Sequence, residues 1–343
     1  MSKVYLKDIA KNLNLSKTAV SLVLNNKGDE NKISQETQRR IIAYAKEHNY
    51  VPNQLARSLS RGKSETIGLI VPNISDSFYA KIAGRIEERA KQMGYTVLFS
   101  SSNENPVKES WLIQAMQNRQ VDGLIIASTQ KNHDDIEMLK QIEFPFVLID
   151  RHYPEIETNY VIVDNYGGIK SVTEHLFAMG RKRIGFITIV SDLEAMRQRL
   201  KGYQDTVEQG GSPQDQVFVE CLAQDQYQQR MEGVIRTMVK SPNKVDALIF
   251  ATHYLAHEGL RALKKLRVKI PEEVAVMSFS EMSAFDLVDP PISSVMLPMQ
   301  EIGNAAVDIL VDEMDGTHAV QAHEKRRILD TELLVRQSCG NTT

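Results

Sequence analysis

Apolar positions near the N-terminus recur at helical spacing in two short runs: Leu6, Ile9, Ala10 and Leu13, then Leu15, Ala19, Val20, Val23 and Leu24. Asn12-Leu13-Asn14-Leu15-Ser16 separates them. Asn14 suits a left-handed turn, and Ser16 suits an N-cap for the second helix. The pattern predicts a helix-turn-helix, with Ala10 small where the two helices approach. A third helix is expected from Ser34, with Ile41, Ile42 and Ala45 as its inner stripe, after a polar loop over 26–32. Val51-Pro52 then breaks the chain. In the following segment, 53–60, Leu55, Ala56 and Leu59 share one face, but the segment is too short to be helical alone.

From Ile67 onward the pattern changes. Apolar runs predicting strands (Ile67–Val71, Tyr95–Ser100, Gly123–Ala127, Phe146–Asp150, Val161–Asp164, Ile184–Ile189, Val217–Val219, Ala247–Ala251, Val274–Phe279) alternate with amphipathic helices such as Phe78–Met93, Tyr166–Met179 and Leu255–Leu266. Such alternation gives parallel sheets covered on both faces, and a stretch this long exceeds one comfortable core. The expected architecture is an all-α helix-turn-helix head on an α/β body of two doubly wound lobes. The expected domains are a head over 1–50, a hinge or linker over 51–65, and a body over 66–343. The first lobe is read as about 66–164 with 294–326, the second as 165–293 with 327–343.

Charge sharpens the division. The net charge is −3, yet residues 1–65 hold 12 Lys+Arg against 6 Asp+Glu. A basic head on an acidic body suits an anion-binding module tied to a domain that avoids the same partner. No apolar run approaches the ~20 residues of a membrane helix, and the first residues have no signal-peptide pattern, so a cytoplasmic protein with no membrane partner is expected. Cys221 and Cys339 suggest neither a disulfide framework nor a metal site. No phosphate loop, nucleophile elbow or metal cluster is present, so neither a catalytic residue nor a cofactor is expected. His133, His253 and His257 read as surface or loop histidines. Trp111, on a helical pattern with Leu112, Ala115 and Met116, reads as core.

Two sets of candidate site residues follow. In a helix-turn-helix the second helix enters the major groove. Lys17, Thr18, Ser21 and Leu22 lie on its outward face, with Asn25 at its end. Lys17 and Thr18 suit base edges or phosphate, and Leu22 suits thymine methyls. In the connector, Asn53, Ala56, Arg57 and Leu59 are the candidates, on a segment whose apolar face suits the leucine wedge that DNA-bending proteins drive into a minor groove. In the body, ligands bind beyond the carboxyl ends of parallel strands. The residues there are Asp76, Phe78, Ser128, Asp150, Arg199, Thr252, His253, Ser280 and Glu281, a set of planar polar groups and an aromatic wall that suits a hydroxyl-rich ligand.

Lys7-Asp8-Ile9-Ala10, Ser16-Lys17-Thr18-Ala19-Val20-Ser21, Tyr50-Val51-Pro52-Asn53, Ala56-Arg57-Ser58-Leu59 and Ile67-Gly68-Leu69-Ile70-Val71-Pro72 together resemble the lactose-repressor/purine-repressor family of bacterial transcription regulators. The resemblance implies a periplasmic-binding-protein-like sensor body and a homodimer on a palindromic double-stranded operator. It also implies allosteric control by a small-molecule effector, carbohydrate-like by preference, with Asp150 and Arg199 at effector-contact positions and Leu59 as the wedge. The chain departs from the family at Leu22, often arginine or polar, and in a longer loop before Ser34. It departs again at Thr252-His253 and Ser278-Phe279-Ser280-Glu281, where the family often has Asn-Asp and Gly-Tyr/Phe-Asp. A secreted solute-binding protein shares the body but has no use for the head, and salt-dependent DNA binding separates the two readings.

Overall fold

The computed structural model describes residues 4–51, 62–210, 217–240, 244–316 and 325–340. The chain divides into two compact units, 1–64 and 65–343.

The first unit is three helices: α1 (Leu6–Leu13), α2 (Lys17–Leu24) and α3 (Gln35–Glu47). Asn14 closes α1 in the left-handed region (φ 53°, ψ 47°), the turn its short polar side chain tolerates. The Ser16 hydroxyl accepts from Ala19 N–H, and the Ser34 hydroxyl from Thr37 N–H, satisfying a first-turn donor in each following helix. Ile9, Ala10, Val20, Val23, Ile41 and Ala45 form the core. Ile42 was expected in that stripe and is half exposed, at 51%. One residue is a 100° turn of helix, so Ile41 and Ala45 point inward and Ile42 does not. The long loop before α3 is folded onto it. Asp29 accepts from the side-chain amides of Gln35 (2.6 Å) and Gln38 (2.8 Å), and a Cβ at the buried Gly28 would meet the Gln38 side chain at 2.5 Å.

The second unit runs β1 (Thr66–Val71), α4 (Ser77–Gln92), β2 (Thr96–Ser101), α5 (Pro106–Asn118), β3 (Gly123–Ile126), α6 (His133–Gln141), β4 (Phe146–Ile149), β5 (Tyr160–Val163), α7 (Asn165–Ala178), β6 (Ile184–Ile189), α8 (Glu194–Gly210), β7 (Phe218–Leu222), α9 (Tyr227–Lys240), β8 (Ala247–Phe250), α10 (His253–Lys265), β9 (Ala275–Phe279), β10 (Ser293–Met296), α11 (Met299–Asp315), β11 (Arg326–Leu329) and β12 (Glu332–Leu334). These build two six-stranded sheets, in the orders β11-β5-β4-β3-β1-β2 and β12-β10-β9-β8-β6-β7. Every strand pairs in parallel except β12, which runs antiparallel to β10. The central strands are buried along their whole length, and so they read as continuous apolar runs.

The crossings between lobes fall a few residues later than the sequence reading placed them. Residues 293–296 pair with β9 in the second sheet, and residues 326–329 pair with β5 in the first. The chain therefore crosses after β5, between β10 and α11, and between β11 and β12. A strand's pairing partner is a long-range fact that its own polarity pattern does not carry. Trp111 is a second correction: it is 61% exposed on α5, whose buried residues are Glu109, Leu112, Ile113 and Met116.

Candidate functional site

On the head, Val20 and Val23 turn α2's inner face to the core, which leaves Lys17 and Thr18 exposed in its first turn and Ser21 and Leu22 half-buried one turn on. Asn25 ends the helix. Its amide donates to the Ser21 carbonyl (2.8 Å) and approaches the Ser21 hydroxyl (3.4 Å), so these two side chains are fixed to each other. Asn53, Ala56, Arg57 and Leu59 lie outside the described residues.

In the body, the carboxyl ends of β1, β3 and β4 face those of β6, β8 and β9, and side chains bridge the lobes directly. Asp76 caps α4, its Oδ1 accepting from Phe78 N–H at 2.8 Å, and the same oxygen lies 3.3 Å from His253 Nε2 on α10. Burial would raise the Asp76 carboxyl, but the hydrogen bond and charge of His253 outweigh it and hold the group below its ordinary range. His253 is buried and partnered, which corrects its reading as a loop histidine; His133 and His257 are exposed. A second bridge is Gln130, whose side-chain oxygen accepts from Glu194 N–H at 3.0 Å.

Asp150 sits at the end of β4 with φ +63°, a strained conformation for a residue with a Cβ. Its Oδ2 accepts from the Tyr79 hydroxyl (2.7 Å) and lies 3.4 Å from Arg151 Nε. Arg151 is itself forked onto Glu104, at 2.8 and 2.7 Å. Burial pushes the Tyr79 hydroxyl well above its ordinary value, so it remains a proton donor to Asp150.

Arg199 is the fixed point of the opposite wall. Nε donates to Asn165 Oδ1 and Nη1 to the Ala251 carbonyl, both at 2.8 Å, and the guanidinium carbon lies 3.8 Å from the centre of the Phe279 ring. The helix carrying it reaches α7 closely because residue 202 is glycine: a Cβ there would come within 2.5 Å of the Tyr166 carbonyl. Burial pulls Arg199 down to about 10, partly offset by Asp150, so the group stays cationic at neutral pH.

The remaining candidates divide. Phe78 packs edge-on to Tyr79, and Thr252 caps α10 by accepting from Leu255 N–H. Ser280 turns sharply after β9 (φ +69°), with its buried hydroxyl unpartnered. Ser128 is wholly buried in a network with Glu109 (2.8 Å) and Tyr153 (2.7 Å), and Glu281 is ion-paired with Arg336. Both are committed to partners inside the protein. Sequence reasoning missed Tyr79, Asn165 and Gln130. Tyr79 lies 71 residues from its partner Asp150, and no local pattern joins them. No group of His, Cys, Asp and Glu able to hold a metal occurs among the described residues.

A helix-turn-helix head and a two-lobed α/β body with a polar, side-chain-bridged cleft define a DNA-binding protein of the ligand-sensing class. Residues 5–53 match the model of bacterial regulatory proteins of the lacI family, and residues 173–339 match that of periplasmic binding protein-like domains. The chain belongs to the lacI family; it is a DNA-binding transcriptional regulator and not an enzyme. It is 28% identical to the HTH-type transcriptional repressor CytR of Escherichia coli strain K12 over 334 residues, which is 97% of this chain and 95% of that protein. Its fold matches the lac repressor dimer bound to operator and the anti-inducer ONPF at a TM-score of 0.84, with 22% identity, over 98% of this chain and 99% of that one. The complex of the regulator CelR with cellobiose matches at a TM-score of 0.70, with 25% identity, over 98% of this chain and all of that one (100%).

Proposed function

We propose that the protein is a repressor that binds a palindromic operator as a homodimer in the bacterial cytoplasm, on the nucleoid, and that a carbohydrate-like effector in the cleft changes its affinity. The observation that carries the ligand half is Arg199: a buried cation held in place by two neutral partners and an aromatic ring, across a cleft from a rigidly seated carboxylate, Asp150. That pairing of fixed donor and fixed acceptor suits a polyol, which offers both. A relative named as a repressor and a structural neighbour holding cellobiose support the reading.

In this proposal Lys17, Thr18, Ser21, Leu22 and Asn25 face the major groove, and Asn53, Ala56, Arg57 and Leu59 the minor groove. Asp76, Phe78, Asp150, Arg199, Thr252, His253 and Ser280 surround the effector, while Ser128 and Glu281 support it from behind. Effector acts by binding one setting of the lobes better than the other. A swing from 1:99 to 99:1 takes ~10⁴-fold preference, about 5.5 kcal/mol. The connector at 53–60 folds against DNA in one setting and not in the other.

Two experiments test the output side. Leu59→Ala is expected to weaken operator binding at least tenfold while leaving binding to random DNA nearly unchanged, measured by fluorescence anisotropy at fixed salt; equal operator affinity for variant and wild type would remove the wedge. For the dimer, β2 is an edge strand exposing Leu98 and Phe99, and the next helix exposes Val107 and Trp111. A second copy covering these apolar groups is the reading their exposure supports. Trp111→Glu is expected to shift the sedimentation coefficient from dimer to monomer at micromolar protein, and an unshifted dimer would place the interface elsewhere.

A further inference from the structure

The three chain crossings tie the lobes together at one side. Their strands, β5 and β11 in the first sheet and β10 and β12 in the second, form one edge of each sheet. The two direct bridges between the lobes lie elsewhere. Asp76 and Gln130 follow β1 and β3, and Glu194 and His253 follow β6 and β8, which are the fourth and fifth strands from that edge in each sheet. A contact far from the crossings resists opening of the cleft, as one beside them does not.

Both bridges are made by the chain's own atoms. His253 Nε2 lies 3.3 Å from Asp76 Oδ1, in side chains only 10% and 23% exposed. A carboxylate so far removed from water needs a partner, and the opposite lobe supplies it. Gln130 is held so that it reaches across. Its backbone has φ +57°, which a residue with a Cβ rarely adopts. Its N–H donates to the Ser128 hydroxyl at 3.1 Å and its side-chain amide donates to the His152 carbonyl, so both ends of the residue are fixed. Behind it the buried Glu109 carboxylate accepts from the Ser128 hydroxyl (2.8 Å), Thr129 N–H (2.7 Å) and the Asn132 amide (3.1 Å). A buried carboxylate that gathers three donors from one short loop rigidifies that loop. The Gln130 amide oxygen is thereby aimed at Glu194 N–H, 3.0 Å away. Glu194 opens α8, so its N–H has no acceptor within the helix.

We propose that these two bridges form a latch that holds the lobes in the closed setting before effector binds, with Glu109 as the positioning residue of its Gln130 half. The closed setting is then the resting one, and effector acts on a population already biased toward it. The proposal rests on the two lobe settings of the reading above and not on the chemistry of the effector. It gives Glu109, a buried carboxylate with no part in the cleft, a task in the other lobe's orientation.

The test is hydrogen–deuterium exchange by mass spectrometry with residue-level fragmentation, on the full chain with no ligand added. The reporter is the amide of Glu194, whose acceptor lies in the opposite lobe. In the wild type it is expected to exchange slowly for a first-turn amide. His253→Ala is expected to speed it about tenfold, the worth of one charge-assisted hydrogen bond, because release of one bridge loosens the other. Asp76→Ser keeps a helix cap but is too short to reach His253, and it is expected to do the same from the other lobe. Glu109→Gln is expected to do so as well, by placing a donor among the donors of the loop. The amides of β3 and β8 are expected to stay protected throughout. A Glu194 amide that exchanges freely in the wild type overturns the latch. So does an unchanged rate in both His253→Ala and Asp76→Ser, which would make the two bridges independent. An unchanged rate in Glu109→Gln overturns its positioning role. Lost protection in β3 and β8 of both bridge variants would make their residues structural and overturns the latch too. Each of these failures leaves the effector reading standing, since that reading is tested separately through Arg199.

Discussion

Ile41→Ala is expected to abolish DNA binding while the body stays folded. Ile41 is fully buried in a head core of six buried residues among those described, on the helix that closes the head over α1 and α2. A large-to-small change at such a site costs about 2–5 kcal/mol in lost transfer free energy and residual cavity. A core of this size rarely supplies more than about 3–5 kcal/mol in total, so one truncation consumes most of it. The body has its own cores, built on other strands and helices, and is not touched. Calorimetry is expected to show loss of the head's transition with the main transition in place, and operator binding is expected to vanish with it. Ile42→Ala is the control. Its side chain is half exposed one position away, and surface changes of this kind stay within about 0.5 kcal/mol. Wild-type operator affinity in Ile41→Ala would mean that the head's stability does not rest on that core.

Arg199→Met is expected to leave operator binding intact and to cost the effector at least a hundredfold in affinity, about 2.7 kcal/mol at 1.36 kcal/mol per tenfold. Methionine keeps apolar contact with Phe279 but deletes every donor. Asn165 Oδ1 and the Ala251 carbonyl then lose their partner, and the ligand loses a charge-assisted hydrogen bond inside a desolvated site. Lysine is not expected to rescue the loss, because one ammonium cannot fork to Asn165 and Ala251 and still lie flat on a ring. The measurement is release or tightening of operator binding as effector is titrated. A variant that responds as the wild type does would remove Arg199 from the site and, with it, the observation on which the ligand reading stands.

These two residues differ in how visible they are beforehand. Ile41 belongs to a local helical pattern, and its place in a head core could be read from spacing alone, though that reading also took in Ile42. Arg199 could be placed beyond a strand end from the sequence, and the resemblance added an effector-contact position, but neither showed what surrounds it. Its environment comes from four separate stretches of chain: Asn165 at the start of α7, Ala251 after β8, Phe279 at the end of β9, and its own position on α8. Trp111 errs in the opposite direction. Its neighbours Leu112 and Met116 are buried, but the helix face is narrow and the tryptophan lies beyond its edge.

The sequence by itself determined most of the elements, though not the strands at 293–296, 326–329 and 332–334. Period-3.6 spacing made the helices, buried apolar runs made the parallel strands, Asn14 and the Ser16 and Ser34 caps placed the turns, and the uneven charge set the basic head apart from the acidic body. These are properties of neighbours along the chain, and local sterics and hydrogen bonding suffice to set them. The tertiary structure alone decided which strand joined which sheet, where the chain crossed between lobes, and which polar groups met. Asp76 found His253, Asp150 found Tyr79, and Ser128 was drawn into a buried network with Glu109 and Tyr153. Those pairings depend on contacts between residues tens to hundreds of positions apart, and only the assembled sheets bring them within the 2.5–3.5 Å over which a hydrogen bond acts.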